Sequence, residues 1–190
     1  MTVSLRPVVE SDADRLFVWR NLPEVSRYML VDRPIEPDEH RRWFGGILVD
    51  QTRRDWVIES EGSPVGLMSL TDIDVDNRRC SWGFYLASPQ ERGRGLGASA
   101  WFQALCVAFD ELGIDKVCSE VLSTNTSVVA LHESFGFRRE AYLREHVRHA
   151  DGPIDVISLA LLRREWALCR GSIEARLRER GLLPAAEEGE

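Results

Sequence analysis

One stretch of the sequence narrows the fold more than any other. Cys80, Trp82, Phe84 and Leu86 alternate with Ser81, Gly83, Tyr85 and Ala87, the period of a strand with two unlike faces. Ser88-Pro89 ends that pattern, and Arg92-Gly93-Arg94-Gly95-Leu96-Gly97 runs straight into a helix. The helix carries an apolar stripe of Ala98, Trp101, Phe102, Leu105, Ala108 and Leu112, with Gly113 as its stop. A helix N-terminus offers unpaired N–H groups and a partial positive charge of about +0.5, and glycines let an anion approach the backbone. A purely structural turn is the competing reading. A P-loop would need GxxxxGK[ST], which is absent, and a dinucleotide fingerprint would need a βαβ start.

The rest of the chain supplies no such start. Val3 to Val9 reads as a strand, and Ser11 and Asp12 offer caps for a helix carrying Ala13, Leu16 and Phe17. After Pro34 and Pro37, a second helix has His40, Trp43, Phe44 and Ile47 on one face. Asp55 to Ser60 and Val65 to Ile73 read as strands around a turn at Glu61-Gly62-Ser63-Pro64, and Asp74 to Asn77 turns into the Cys80 strand. The glycine-rich turn therefore follows an antiparallel meander. Beyond it come a strand at Lys116 to Ser123, a helix at Asn125 to Phe135 closed by Gly136, and a hairpin of Phe137 to Val147 with Ile154 to Leu162 turning at Asp151-Gly152. A helix from about Arg163 to Arg180 follows. Residues 1–180 read as one α/β domain, and Gly181 to Glu190 as a frayed tail.

Totals exclude several classes. The 190 residues carry a formal net charge of -7, and the arginines are interleaved with acids, which argues against a nucleic-acid partner. No apolar run reaches the ~18 residues of a membrane span. The histidines show no metal-ligand spacing, so no metal is expected. Cys80, Cys106, Cys118 and Cys169 form no CxxC pair and sit in apolar runs as free thiols, which with no signal peptide suggests a cytoplasmic setting.

With Arg92, Gly95 and Gly97 filling Arg/Gln-x-x-Gly-x-Gly/Ala, and Pro89 three residues ahead, the chain resembles the GNAT N-acetyltransferases. A second motif agrees: Asn125 follows the strand Cys118-Ser119-Glu120-Val121-Leu122, and Leu131-His132-Glu133-Ser134-Phe135-Gly136-Phe137 closes the next helix. The resemblance covers about Leu5 to Trp166. It implies a mixed, mostly antiparallel sheet of about seven strands, splayed between strands 4 and 5 and flanked by helices. It also implies acetyl-CoA as donor and direct attack by a primary amine in a ternary complex.

The same resemblance assigns residues. The pyrophosphate of coenzyme A would lie on Arg92, Gly93, Arg94, Gly95, Leu96, Gly97 and Ala98. The pantetheine would run along the backbone of Tyr85, Leu86 and Ala87, with Asn125 bonding it or simply capping its helix. The chain departs from the pattern at His132, where the family's tyrosine, proposed to protonate the thiolate, would stand. His132 is then an acid or a core histidine, and Glu120 is a base or an ordinary strand residue.

Trp19-Arg20-Asn21, the tryptophans, and the closing stretch from Leu143 to Trp166 are similar to the branch that holds flagellin-modification acetyltransferases. The implied acceptor is a small-molecule amine, the 4-amino group of a UDP-linked sugar. Arg20, Asn21, Arg27 and Arg144 would bind it, the arginines matching its phosphates. A protein N-terminal or antibiotic acetyltransferase is the alternative, and a non-catalytic acyl-CoA sensor the remoter one. A homodimer is left open.

Overall fold

The structure, a computed structural model, describes residues 2–183. Seven strands form one sheet: β1 (Val3–Pro7), β2 (Arg54–Ser60), β3 (Ser63–Asp74), β4 (Arg79–Leu86), β5 (Lys116–Leu122), β6 (Arg138–His149) and β7 (Gly152–Leu162). Their order is β1-β2-β3-β4-β5-β7-β6, antiparallel except for the β4–β5 pair. Six α-helices cover it: α1 (Ala13–Arg20), α2 (Pro23–Ser26), α3 (Pro37–Ile47), α4 (Leu96–Cys106), α5 (Thr126–Ser134) and α6 (Arg163–Glu179). This is the mixed α/β GNAT fold that the motifs imply.

The parallel pair is short. Arg79, Cys80 and Ser81 pair with Lys116, Val117 and Cys118, and beyond Ser81 the two strands part. The alternation then fixes which side chains face which way. Cys80, Trp82, Phe84 and Leu86 share a face with Val117, Ser119 and Val121, turned to α4 and α5, where they join the main core. Gly83 and Tyr85 share the opposite face with Glu120, and Tyr85 packs there on a smaller core of Leu16, Phe44, Ile47 and Leu67 from α1, α3 and β3.

Three expectations need correction. Asp12 does not cap α1 with its side chain. Its buried carboxylate accepts from Arg6 (3.0 Å to each oxygen), Arg15 (2.7 Å) and the Val9 amide (3.0 Å), because an unpaired charge at that depth would be costly. The first strand stops at Pro7, short of Val9. The expected tail is ordered at its start: Leu182 is buried against α4, Ser99 donates its hydroxyl to the Leu182 carbonyl, and the Leu182 amide reaches Leu177 at 2.9 Å. The remainder of that tail, 184–190, lies outside the described residues.

Gly66 shows how tightly β3 and β4 are drawn together. A Cβ there would stand 2.2 Å from the Tyr85 carbonyl oxygen, a backbone atom that cannot swing aside. Gly66→Ala is expected to lower unfolding free energy by about 1–3 kcal/mol in a denaturant titration, the usual cost of overpacking. Gly45→Ala in α3, where a Cβ meets nothing within 4 Å, serves as the control and is expected to keep or slightly raise stability.

Candidate active site

Two cavities meet at β4. The larger, about 630 Å³, follows the gap between β4 and β5 and runs from the Arg92–Ala98 loop past Asn125 and Leu131 to Trp82. The smaller, about 360 Å³, lies on the other side of β4 beneath α1 and α3. They share Met29, Trp82, Gly83, Phe84 and Tyr85. A group held in one cavity reaches a group held in the other only there.

The loop end of the larger cavity presents a glycine-rich helix N-terminus. Gly95 takes φ +89°, which glycine adopts without strain, and stands at the N-cap of α4 with no side chain across the helix end. The first intrahelical bond runs from the Ser99 amide to the Gly95 carbonyl at 3.0 Å. The amides of Leu96, Gly97 and Ala98 therefore lack helical acceptors. Gly97 is needed for contact with the sheet as well, since a Cβ there would meet the Phe84 ring at 3.1 Å.

The side chains of that loop do other work. Arg92 donates to the Glu24 carbonyl at 2.7 Å and stands over the Tyr28 ring, tying α2 to the loop. Arg94 pairs with Glu91 at 2.7 Å. Sequence reasoning missed the cation beside the loop. It is Arg180, whose guanidinium lies within 3.3 Å of where a Gly95 Cβ would be, and no local motif marks it.

Along the gap, hydrogen-bond alternation revises which backbone groups are available. The Ala87 amide is spent on the Val65 carbonyl at 2.9 Å, so Ala87 and, two residues back, Tyr85 turn their backbone toward β3. Trp82, Phe84 and Leu86 turn theirs toward the gap, where β5 has diverged. Of the expected trio, only Leu86 faces the cavity with its backbone, and Phe84 joins it. Asn125 lines the same cavity. Its side-chain oxygen accepts from Ser127 at 3.2 Å and does not cap α5, and its amide nitrogen has no hydrogen bond among the described residues.

Glu120 is exposed in the cavity, and its carboxylate has no hydrogen bond or ion pair among the described residues. His132 also lines this cavity, but its side chain is fully engaged. It is buried, its Nδ1 meets the Val128 carbonyl at 2.8 Å, and the Trp82 indole N–H donates to its Nε2 at 3.2 Å. The carbonyl requires a proton on Nδ1 and the indole requires a lone pair on Nε2, so the ring is the neutral Nδ1–H tautomer. Burial pushes its pKa down to about 4, against a smaller upward pull from the Val128 bond. At neutral pH the ring is uncharged, and both of its nitrogens are engaged within the fold, as the core-histidine alternative expects.

Of the four residues expected to hold the acceptor, one lines the smaller cavity. Arg20 gives Nη2 to the Val31 carbonyl at 2.6 Å, while its buried Nη1 has no partner among the described residues. Burial lowers the pKa of this guanidinium from its ordinary value. Asn21 is consumed structurally: its amide donates to Phe17 (3.3 Å) and Ile35 (3.1 Å), and its oxygen accepts from the Ile35 amide (2.7 Å). Arg27 is exposed and stacks on Tyr28, and Arg144 is exposed on β6; neither lines either of these two cavities. The final hairpin does reach this region, through His149 Nε2 and the Met29 carbonyl at 2.9 Å.

A splayed β4–β5 pair with an anion-binding helix end beside the gap defines a GNAT acetyltransferase site. The chain belongs to that family: its residues 2–138 match the family model described as an acetyltransferase (GNAT) domain. It is an acetyl-CoA-dependent N-acetyltransferase. It is 28% identical over 170 residues to an uncharacterized N-acetyltransferase, p20, of Bacillus licheniformis, covering 87% of this chain and 95% of that one. It is 28% identical to the spermidine N(1)-acetyltransferase of Escherichia coli K12 (75% and 76% covered), and 26% to a putative ribosomal N-acetyltransferase, YdaF, of Bacillus subtilis (86% and 93%). The spermidine N-acetyltransferase of Vibrio cholerae, solved with CoA and spermine, superposes with a TM-score of 0.80 at 23% identity, over 87% of this chain and 98% of that one. Among the described residues no cluster of His, Cys, Asp and Glu could hold a metal ion, and no helix is long and apolar enough to cross a membrane.

The state of His132 has a measurable consequence. Its folded pKa of about 4 lies below the ordinary 6.5, so the unfolded chain takes up this proton first. The stability it contributes is whole above pH 6.5 and declines as pH falls toward 4, by at most about 3 kcal/mol. Denaturant titrations across that window are expected to show a steeper acid loss for the wild type than for His132→Gln. Parallel curves would restore an exposed, titratable imidazole.

Proposed function

We propose that this enzyme acetylates the primary amine of a small, oxygen-rich acceptor, a nucleotide-linked amino sugar, bound in the cavity under α1 and α3. The observation that carries the reading is Arg20, a guanidinium that lines the cavity and whose buried Nη1 has no hydrogen-bond partner among the described residues. A buried donor left unpaired is costly, and an acceptor oxygen on the substrate removes the cost. Trp43 gives an apolar plane for a sugar ring, and the Thr71 hydroxyl also lines the cavity.

The charges oppose a polyamine here. Glu39 is the carboxylate among the lining residues, and Arg33 occupies both its oxygens at 2.8 and 2.9 Å. Arg53 is balanced by Asp55, which leaves Arg20 as net positive charge. A peptide ammonium finds little better: Glu140, one candidate partner, is taken by Lys116 at 2.8 Å. With Arg27 and Arg144 outside the cavity, Arg20 is the guanidinium left to meet a phosphate or sugar oxygen.

In the reaction the pyrophosphate rests on the amides of Leu96 to Ala98, and the pantetheine amides bond the backbone of Phe84 and Leu86, with Asn125 from the other side. The acceptor amine enters from the Gly83–Tyr85 face, which Glu120 shares. Glu120 takes the amine proton, directly or through one water. The nitrogen attacks the thioester carbon, the C–S bond breaks, and the thiolate leaves with the electron pair. A thiol pKa near ~8.5 makes it a fair leaving group, and water in the open cleft supplies its proton.

Glu120→Gln is expected to cut kcat by about 10²-fold, the low end of a general-base contribution, with the coenzyme A dissociation constant unchanged in calorimetry. A loss of less than a few-fold would return Glu120 to an ordinary strand residue.

A thiol-release screen would compare UDP-linked amino sugars, N-terminal peptides, aminoglycosides and spermidine. Turnover is expected with the sugars, with KM raised about 10-fold by Arg20→Met, the scale of one charge-assisted hydrogen bond. Turnover confined to spermidine or peptides would overturn the sugar and leave acetyl transfer standing. Coenzyme binding without thiol release from any amine would favour the sensor.

A further inference from the structure

The acetyl end of the donor must lie where the two cavities meet, because nowhere else do an amine in one and a thioester in the other come together. That junction is Trp82 to Tyr85. The pyrophosphate loop stands at the wide end of the gap, beyond Leu86. The narrow end closes where Ser81 pairs with Cys118, one residue before Trp82. An acyl chain longer than acetyl would extend from the thioester toward this closed end, since the pantetheine occupies the other direction.

Trp82 lines both cavities beside this closed end, and its ring is held from three sides. The Trp82 ring lies parallel to Phe137, with centroids 5.2 Å apart and planes 10° from parallel. It is tilted on Trp101 at 4.5 Å, and its N–H is fixed by His132 Nε2 at 3.2 Å. His132 cannot yield, because its other nitrogen holds the Val128 carbonyl and its ring packs against Trp101 and Phe137 at 4.3 and 4.9 Å. A ring clamped in a close-packed interior does not move aside for an extra methylene.

We infer that Trp82, held in place by His132, is the wall that limits this enzyme to short acyl donors. Trp82 would then be a specificity-determining residue that touches the donor's acyl group, and His132 a positioning residue that acts through it. The histidine at this place in α5 thereby has a function that involves no proton. The inference rests on the acetyltransferase reading and is independent of which amine accepts the acetyl group.

The test is direct binding by calorimetry, which needs no acceptor, with free coenzyme A, acetyl-CoA, propionyl-CoA and butyryl-CoA as probes. In the wild type, affinity is expected to fall about 10-fold or more for each methylene beyond acetyl, the lower range for a pocket that rejects one methylene. Trp82→Leu is expected to shrink that step below 3-fold while free coenzyme A binds as before. His132→Gln keeps a hydrogen-bond acceptor and should change the step little. His132→Leu removes the acceptor and should relax it in the same direction as Trp82→Leu. The double variant should relax it no further than Trp82→Leu alone.

Circular dichroism melting identifies the folded variants, and Trp82→Phe replaces Trp82→Leu if the latter does not fold. Equal affinity of the wild type for all three acyl donors would overturn the proposal. So would an unchanged methylene step in a folded Trp82 variant. Absence of any coenzyme A binding would instead defeat the acetyltransferase reading itself.

Discussion

The separation of β4 from β5 after three paired residues is the constraint on which the rest of this structure depends. A buried strand edge with unpaired N–H and C=O groups is costly, so two neighbouring strands rarely part in the middle of a sheet. Here the parting is sustained from both sides. β4 stays bonded to β3 along its length, and β5 stays bonded to β7. The edges that face each other across the gap are left for a ligand with amides of its own. A pantetheine arm has amides that would match those edges, and the α4 N-terminus lies just beyond Leu86.

Aromatic packing gives the gap its shape. Trp82, Trp101, Phe84, Phe135, Phe137 and His132 form one contiguous cluster under the narrow end, and each ring touches at least one other. In this cluster a neutral imidazole is worth more than an ionised one, since burial penalises the charge while the indole needs a lone pair. The environment that lowers the pKa of His132 thus also holds its ring in place.

On the opposite face the governing term is electrostatic. Glu39, Asp55 and Asp12 are each bound by arginine, and their charges are spent within the fold. Two groups differ: Arg20 is half-satisfied by a backbone carbonyl, and the Glu120 carboxylate has no ion pair among the described residues. A chain with net charge -7 gains nothing from long-range attraction of an anion, so any recognition of one falls to local cations at short range.

What the sequence determined by itself is the local and periodic part. The alternation from Cys80 to Leu86 specified a two-faced strand, and Gly95 and Gly97 at a helix start specified an anion loop, because backbone conformation and side-chain period are properties of neighbouring residues. Asn21, Arg27 and Arg144 looked like ligands in the same sequence, and nothing local told them apart from Arg20. Tertiary structure made that distinction, since Asn21 meets Ile35 fourteen residues away and Arg20 is left beneath β4 with a nitrogen unmet. It also decided the role of His132, whose helical spacing placed it inward but could not show that Trp82, fifty residues earlier, would claim its lone pair. Protonation states and free valences depend on contacts between distant segments, and those exist only once the chain has folded.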